Sequence, residues 1–390
     1  MSCYIASNDN RYYVSLEQDF GEVAAVTAAN RIPAVKLAIR HAAELVTRRD
    51  KTGTRTYNGV PPSARKRVSY DLTTYMTAWN EDEAEPCYGP LVQASLGGLG
   101  ISFDGATVAA VTNGTHITCA APHSLGAGQA VRYESDIRFV ANVIDEVTIV
   151  VNAPFTSEPG AGAELGKTIT YMPAHSLPSV SLFDYWQPAE AVQRIVAGAA
   201  VDLFQLAVNS DFHQFRFTGE AADLISSSGF SEGLAGLTEF PEEPEIGPEN
   251  FALVPGSMGQ AWFGAEAAQF HTVVEAAIRV DNHVDLRRRE FGMSRAGCIV
   301  TGPREVSLEM TLVSNTEAQT LALYEAAVQR SPIQAMLQLG LQERSLCGLY
   351  LPAVIPEVPE FLDDDVRLQW RFRSSRAQGI SNDEVVIAFA

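Results

Sequence analysis

Lysine and arginine are missing altogether between Phe217 and Ile278, a stretch that holds ten acids: Glu220, Asp223, Glu232, Glu239, Glu242, Glu243, Glu245, Glu249, Glu266 and Glu275. A surface built from it repels a phosphate backbone, because nucleic-acid binders neutralise phosphates with clustered cations. The formal net charge of −19 at pH 7 points the same way and argues against tight DNA binding. Cysteine is scarce too. Five residues, at positions 3, 87, 119, 298 and 347, are widely separated, odd in number and without CxxC spacing. They signal neither a zinc ribbon nor a disulfide framework, and reduced thiols are expected. Long apolar runs are also absent. The best, Ile195 to Val208, is interrupted by Asp202 and is shorter than the roughly 18 residues of a membrane span. Met1-Ser2-Cys3-Tyr4-Ile5 has neither a basic stretch nor an apolar one, so no signal peptide and a soluble protein are expected.

Catalytic patterns are lacking as well. The seven histidines, at 41, 116, 123, 175, 213, 271 and 283, show no HExxH or HxH spacing, which leaves a catalytic zinc without ligands. Ser257 follows Pro255-Gly256, so a turn is expected there and not a nucleophile elbow. Gly97-Gly98-Leu99-Gly100 has no Lys-Ser/Thr partner for phosphate. Asp363-Asp364-Asp365 alternates across an extended segment and makes a poor calcium site. Asp281-Asn282-His283-Val284-Asp285 has no ligand-like counterpart elsewhere. No catalytic residue, metal ligand or cofactor is therefore expected, and an enzyme is not.

What the chain does contain is a copy of itself. Ala277-Ile278-Arg279, Arg287-Arg288 and Gly292 repeat Ala38-Ile39-Arg40, Arg48-Arg49 and Gly53 at one constant offset of 239. One residue out of register, Arg304-Glu305-Val306-Ser307-Leu308-Glu309-Met310-Thr311 answers Lys66-Arg67-Val68-Ser69-Tyr70-Asp71-Leu72-Thr73. Tyr350-Leu351-Pro352-Ala353 echoes Tyr171-Met172-Pro173-Ala174. If Gly97 answers Gly340, the gaps to the two tyrosines are 74 and 10 residues, so copy one carries an insert before Tyr171. Two like modules on one chain can occupy neighbouring equivalent positions in a ring.

Apolar residues make up 46% and charged residues 19% without low-complexity tracts, so the chain is globular and of a length for two or three domains. Alternating runs between Gly, Pro, Asn and Asp predict mainly β structure. The clearest strands are Val68–Thr73, Thr115–Cys119, Val147–Val151, Val201–Val208, Phe212–Phe217, Val306–Leu312, Val366–Phe372 and Val385–Phe389, the seventh alternating strictly with Arg367, Arg371 and Arg373 on its wet face. Asn113-Gly114 marks a tight hairpin in an all-β insert covering 104–166. One helix is predicted from Ser314 and Glu317 as a capping box, with Ala318, Leu321, Tyr324 and Val328 as its buried stripe and Ser331-Pro332 as its stop; its weaker counterpart is Leu91–Leu96. The predicted architecture is two tandem sandwich or split-barrel domains, each with a flanking helix. Copy one spans 1–103 and 167–215, and copy two spans 216–390.

Two loops, Arg48–Arg65 and Arg287–Arg304, are long for a compact domain, which marks them as functional. Their Arg48, Arg49, Arg55, Arg65, Lys66, Arg67, Arg287, Arg288, Arg289 and Arg304 are candidate docking residues for a neighbouring subunit's acidic surface. Glu239, Glu242, Glu243, Glu245 and Glu249 are the candidate acidic partner, or alternatively a pore lining.

The order of these features resembles the tail tube proteins of long-tailed bacteriophages. It rests on the strand Ala276–Arg279, Asn282, the cluster Arg287–Arg289, Gly292 and a loop into Val306–Leu312, with Arg48 to Gly53 and Arg65 to Thr73 in the first copy. The stretch Phe183-Asp184-Tyr185-Trp186 leading to Val201–Val208 adds to it. The resemblance implies a virion tail protein, assembled in the host cytoplasm. Its domains join side by side around a channel, and its long loops touch the next ring. It implies partners in other copies of itself, a tape-measure protein and a tail terminator, with passing double-stranded DNA and no membrane. Two copies per chain suit a trimer with pseudo-sixfold symmetry, or a hexamer using one copy for the lumen, with the insert as an outer decoration. A tandem adhesion or baseplate protein whose insert binds a receptor or carbohydrate is the other reading of the same residues.

Overall fold

A computed structural model describes residues 4–43, 50–51, 53–55, 65–79, 83–209, 211–246, 251–287, 290–293, 295–363 and 366–390. The chain is mainly β. Copy one opens with β1 (Asn10–Leu16), β2 (Arg31–Ile32), β3 (Ala34–Ala43), β4 (Lys66–Tyr75) and helix α1 (Gly89–Leu96). An inserted segment follows, with β5 (Ile101–Phe103), β6 (Ala106–Thr112), β7 (His116–Cys119), β8 (Ala130–Tyr133), β9 (Asp136–Val143), β10 (Thr148–Val151), β11 (Glu164–Leu165) and β12 (Thr168–Tyr171). Copy one resumes with β13 (Val180–Trp186), β14 (Arg194–Ala207), β15 (Gln214–Ala221) and β16 (Asp223–Ser226). Copy two runs β17 (Gly259–Gly264), β18 (Ala268–Gln269), β19 (Val273–Asp281), β20 (Val284–Leu286), β21 (Ile299–Thr301), β22 (Glu305–Val313), helix α2 (Ala318–Gln329), β23 (Ile333–Leu339), β24 (Cys347–Ile355), β25 (Glu360–Leu362), β26 (Gln369–Ala377) and β27 (Val386–Phe389).

Each copy is a two-layer sandwich. In copy one the inner sheet runs β3–β4–β15–β14 and the outer sheet β2–β1–β13–β14–β16. The fourteen-residue β14 serves both layers, its first half paired with β13 and β16 and its second half with β15. Copy two repeats the plan with an inner sheet β19–β22–β26–β25 and an outer sheet β18–β17–β23–β24–β27. There the long strand is broken into β24 and β25 by a segment containing Pro356 and Pro359, residues that cannot donate to a ladder. The duplication extends to irregularities. The β3–β4 register slips between Ala34 and Lys36, and β19–β22 slips between Val273 and Glu275, the same two positions at the offset of 239. A bulge is a specific local geometry, so finding it twice in register supports common descent of the two halves over a chance likeness of hairpins.

This topology corrects the second half of the sequence alignment. Tyr171 lies in β12 and Tyr350 in β24, yet the strand that occupies the place of β24 in copy one is β14, so the shared Tyr-x-Pro-Ala is not an equivalence. The true counterpart of Tyr350 is Ala197: each pairs with the last strand of its copy. The boundary placed at 215/216 cuts through β15, and β15 and β16 both pair within copy one. The extra chain is also longer than the predicted 104–166. Between α1 and β13 lie 83 residues in copy one, against 3 between α2 and β23 in copy two, and the surplus includes the β5–β12 pair beneath the small barrel.

In the barrel the predicted strands Thr115–Cys119 and Val147–Val151 appear as β7 and β10. Its order is β11–β6–β7–β10–β9–β8, and Gly166 donates to the Arg132 carbonyl at 2.8 Å to bring β8 back near β11. Asn113 and Gly114 sit at φ 55° and 70°, as the tight hairpin requires. The barrel is no loose decoration, however. Phe139 stacks on Tyr350 with centroids 5.2 Å apart, and a Cβ on Gly348 would meet the Phe139 ring at 2.8 Å. Only glycine lets that ring lie on β24. Beside it Arg138 is fully buried, donating to the carbonyls of Pro154 and Ile137 (both 2.8 Å) and to Gln338 and Gln260 (both 3.2 Å), with Asp136 at 3.2 Å and the Trp262 ring at 4.9 Å. Burial pushes its guanidinium down to about 10.

Helix α2 departs from its predicted stripe. Thr320, Leu323 and Ala327 are buried, while Leu321 and Val328 are about half exposed. Glu317 is the N-cap residue, and Asn315, not Ser314, holds the first turn by accepting from Glu317 N–H (3.1 Å) and Thr320 O–H (2.6 Å). Strand β26 starts at Gln369, three residues later than predicted.

Removing the cation from the barrel joint strands Asp136 in the interior, so Arg138→Ala and Arg138→Met are each expected to destabilise the chain by about 3–5 kcal/mol. A much smaller loss for Met, which keeps the volume but not the charge, would show in chemical denaturation that packing, not charge, holds the joint.

Candidate self-association surface

The two inner sheets are one sheet. The second half of β14 pairs with β19 on the edge away from β15, placing Leu203 opposite Asp281, Gln205 opposite Arg279 and Ala207 opposite Ala277. Seven strands result, in the order β3–β4–β15–β14–β19–β22–β26, with β25 at the far end. Among the described residues each end is an open edge. β3 has ten residues and pairs in the inner sheet only with β4, and β25 pairs only with β26.

One face of this sheet is apolar and packed, carrying Leu72, Phe204, Phe217, Ile278 and Leu308. Strand alternation puts charge on the other. It bears the cations Lys36, Arg40, Arg67, Arg216, Arg279, Arg371, Arg373 and Arg376 and the anions Asp71, Glu220, Glu275, Asp281, Glu305, Glu309 and Glu360. These form a lattice of pairs: Arg216–Asp71 at 2.8 Å, Arg67–Glu220 at 2.6 Å, Arg279–Asp281 at 2.9 Å, Arg371–Glu309 at 2.9 Å, Arg373–Glu360 at 2.9 Å and Arg376–Glu305 at 3.5 Å. Arg216–Asp71 and Arg371–Glu309 are the same pair in the two copies. Arg216 holds the Asp71 carboxyl below its ordinary range, and Glu309 raises Arg371. The face is charge-balanced, with eight cations against seven anions, and not the acidic wall that composition implied.

The predicted acidic residues lie elsewhere. Glu239, Glu242 and Glu245 are exposed on the segment that covers the outer sheet of copy one, where Phe230, Leu234 and Phe240 pack near Tyr13, Phe183 and Tyr185. Glu243 is partly buried, ion-paired with Arg11 and accepting from Tyr13 O–H at 3.0 Å; burial first, and then this carboxylate, push the Tyr13 phenol up to about 12. Glu249 lies outside the described residues.

The cationic candidates divide likewise. Arg48, Arg49, Arg288 and Arg289 lie outside the described residues. Arg55 is exposed and Arg65 half-buried. Lys66 reaches Asp223 at 3.4 Å, Arg67 pairs with Glu220, and Arg287 pairs with Glu290. Arg304 is not a docking residue. It is largely buried, bonded to Glu384 at 2.7 Å and to the Ala174 and Leu96 carbonyls at 2.6 and 3.3 Å, so it ties copy two to the end of α1. The second long loop is a hairpin arm of β20 and β21 with Phe291 fully exposed at its tip. A cleft of about 940 Å³ separates its base from the charged face. Composition foretold the arm's length but not its apolar tip.

Among the described residues no three His, Cys, Asp or Glu gather as a metal site, and no helix is long and apolar enough to cross a membrane. No protein-family model matches the chain, and no curated protein is similar to it in sequence.

Half-exposed pairs of this kind each contribute little, so Asp71→Asn should cost under about 1 kcal/mol at neutral pH. Because the folded carboxyl titrates below the unfolded one, the contribution is complete above about pH 4 and is lost as pH falls through the folded value. Urea unfolding across pH should therefore show a shallower acid limb for D71N than for the wild type; identical limbs would remove Arg216 as the cause.

Proposed function

We propose that the chain is a structural subunit of a hollow wall, a tail tube, in which each copy supplies one of six like segments of a closed inner sheet around a channel. One observation carries the reading: β14 and β19 join two copies edge to edge, and the outward edges left over, β3 and β25, are the counterparts of that same joint. A sheet with two complementary open ends either polymerises or closes, and closure removes the edges that otherwise invite uncontrolled pairing. Three chains of two segments give a ring with pseudo-sixfold symmetry.

The charged face then lines the channel. Its cations are held by neighbouring anions, so few are left to neutralise phosphates, and its near-zero balance imposes no large repulsive barrier. DNA slides past such a lining without adhering. The hairpin arm, standing off the sheet with Phe291 at its end, suits contact with the next ring of a stack.

Purified protein should form trimers by light scattering and rings with a duplex-wide hole in electron micrographs. A chain that stays monomeric at high concentration over all salt conditions sinks the proposal. Phe291→Asp should leave rings intact but prevent their stacking into tubes. Tubes of normal length from that variant would dismiss the arm as the stacking element.

A further inference from the structure

Resting on that ring, we infer that its six seams are of two alternating kinds, and that the seam between chains is a single-layer joint formed by β25 of one copy on β3 of a second copy. The register follows from the seam inside the chain. Loops of six residues join β14 to β15 and β25 to β26, so Gln205, Leu206 and Ala207 correspond to Glu360, Phe361 and Leu362. The partners Arg279, Ile278 and Ala277 correspond to Arg40, Ile39 and Ala38. The transferred pairing sets Glu360 opposite Arg40, Phe361 opposite Ile39 and Leu362 opposite Ala38.

Exposure supports this partner. Leu206, covered by β19, is 1% exposed, whereas its counterpart Phe361 is 55% exposed. Val280 is fully buried, while its counterpart His41 is exposed on the core-facing side of β3. Both differences are what removing a neighbouring strand produces, and Glu360 against Arg40 adds opposite charge across the gap. Val358 and Val366 flank β25 and are also exposed. The occupant that fits is another copy of this chain.

The two seams differ in depth. Inside the chain, an outer pairing of β12 with β27 adds Ile169–Phe389, Thr170–Ala388 and Tyr171–Ile387, and Asn282 donates to the Ser95 and Val201 carbonyls at 2.9 and 3.1 Å beside Arg304. Between chains none of this can form. Copy two has three residues where copy one carries β12, and β16, the counterpart of β27, keeps its second edge unpaired among the described residues. Pro359 also stands in the place of Phe204 and removes one ladder donor. A ring so built opens at three seams and stays shut at the other three.

Cysteine pairs test the register. In assembled full-length protein, Ala38→Cys with Leu362→Cys should give covalent dimers and trimers under mild oxidation, as wild type does not, while Ala207→Cys with Ala277→Cys cross-links within one chain. Hydrogen exchange on the assembled protein should be at least about tenfold faster for amides of 37–41 and 360–362 than for 203–207 and 277–281, since exchange reports the local opening free energy. His41→Val, which restores the residue found at the inner seam, should tighten assembly about tenfold by removing a polar group from a buried position. Rings without the intermolecular cross-link, or with equal exchange at both seams, overturn this inference and leave the ring standing. Absence of any ring overturns both.

Discussion

The hydrogen-bonding of one strand on both sides holds this molecule in its form. β14 gives its first half to the outer sheet and its second half to the inner sheet, and within the inner sheet it lies between β15 of its own copy and β19 of the other. A strand paired on both edges and packed on a full apolar face leaves no backbone group to water, and Phe204 and Leu206 are buried accordingly. Layer crossing and domain joining are thus the same event. The two sandwiches cannot rotate independently without breaking a ladder, which distinguishes them from two domains on a linker.

Much of this was legible from residues. Period-two alternation marked β4 and β22, because one side of each is core, an apolar run marked β14 and β27, which are buried on both sides over much of their length, and the constant offset of 239 marked the duplicated hairpins down to their shared bulge. Reading failed where long-range pairing overrides local pattern. Tyr-x-Pro-Ala begins at the end of β12 and lies within β24, strands that pair with opposite edges of β27 and do not correspond in the two copies, and no local signal separates such a likeness from an equivalence. The stripe on α2 failed because apolar residues cover nearly the whole helix, so Leu323 and Ala327 took the core in place of Leu321 and Val328. Arg304 reads in sequence like its loop neighbours; only the carbonyls of Leu96 and Ala174, far away in the chain, give it an inward role.

Charge taught a similar lesson. Of the acids in the cation-free stretch, Glu239, Glu242, Glu243 and Glu245 sit on a covering segment, whereas the inner face, which takes Glu220 and Glu275, is arranged by cross-strand partners that no window average can detect. Asp71 answers Arg216 across 145 positions of sequence, and Glu309 answers Arg371 across 62. Net charge speaks to solubility and encounter, while the lining of a surface depends on which strands become neighbours.

The barrel seated by Arg138 and Phe139 has a consequence for valency. Only one copy of each duplicated pair carries it, and it is anchored to the other copy by a buried cation and a ring lying on Gly348, so it is a fixed landmark and not a tethered appendage. In the closed assembly of three chains proposed above, the exterior would therefore repeat every 120°, although the interior would repeat nearly every 60°. Anything that gripped the outside of such a ring by this landmark would meet three sites, and a sixfold collar would have half of its contacts unmatched.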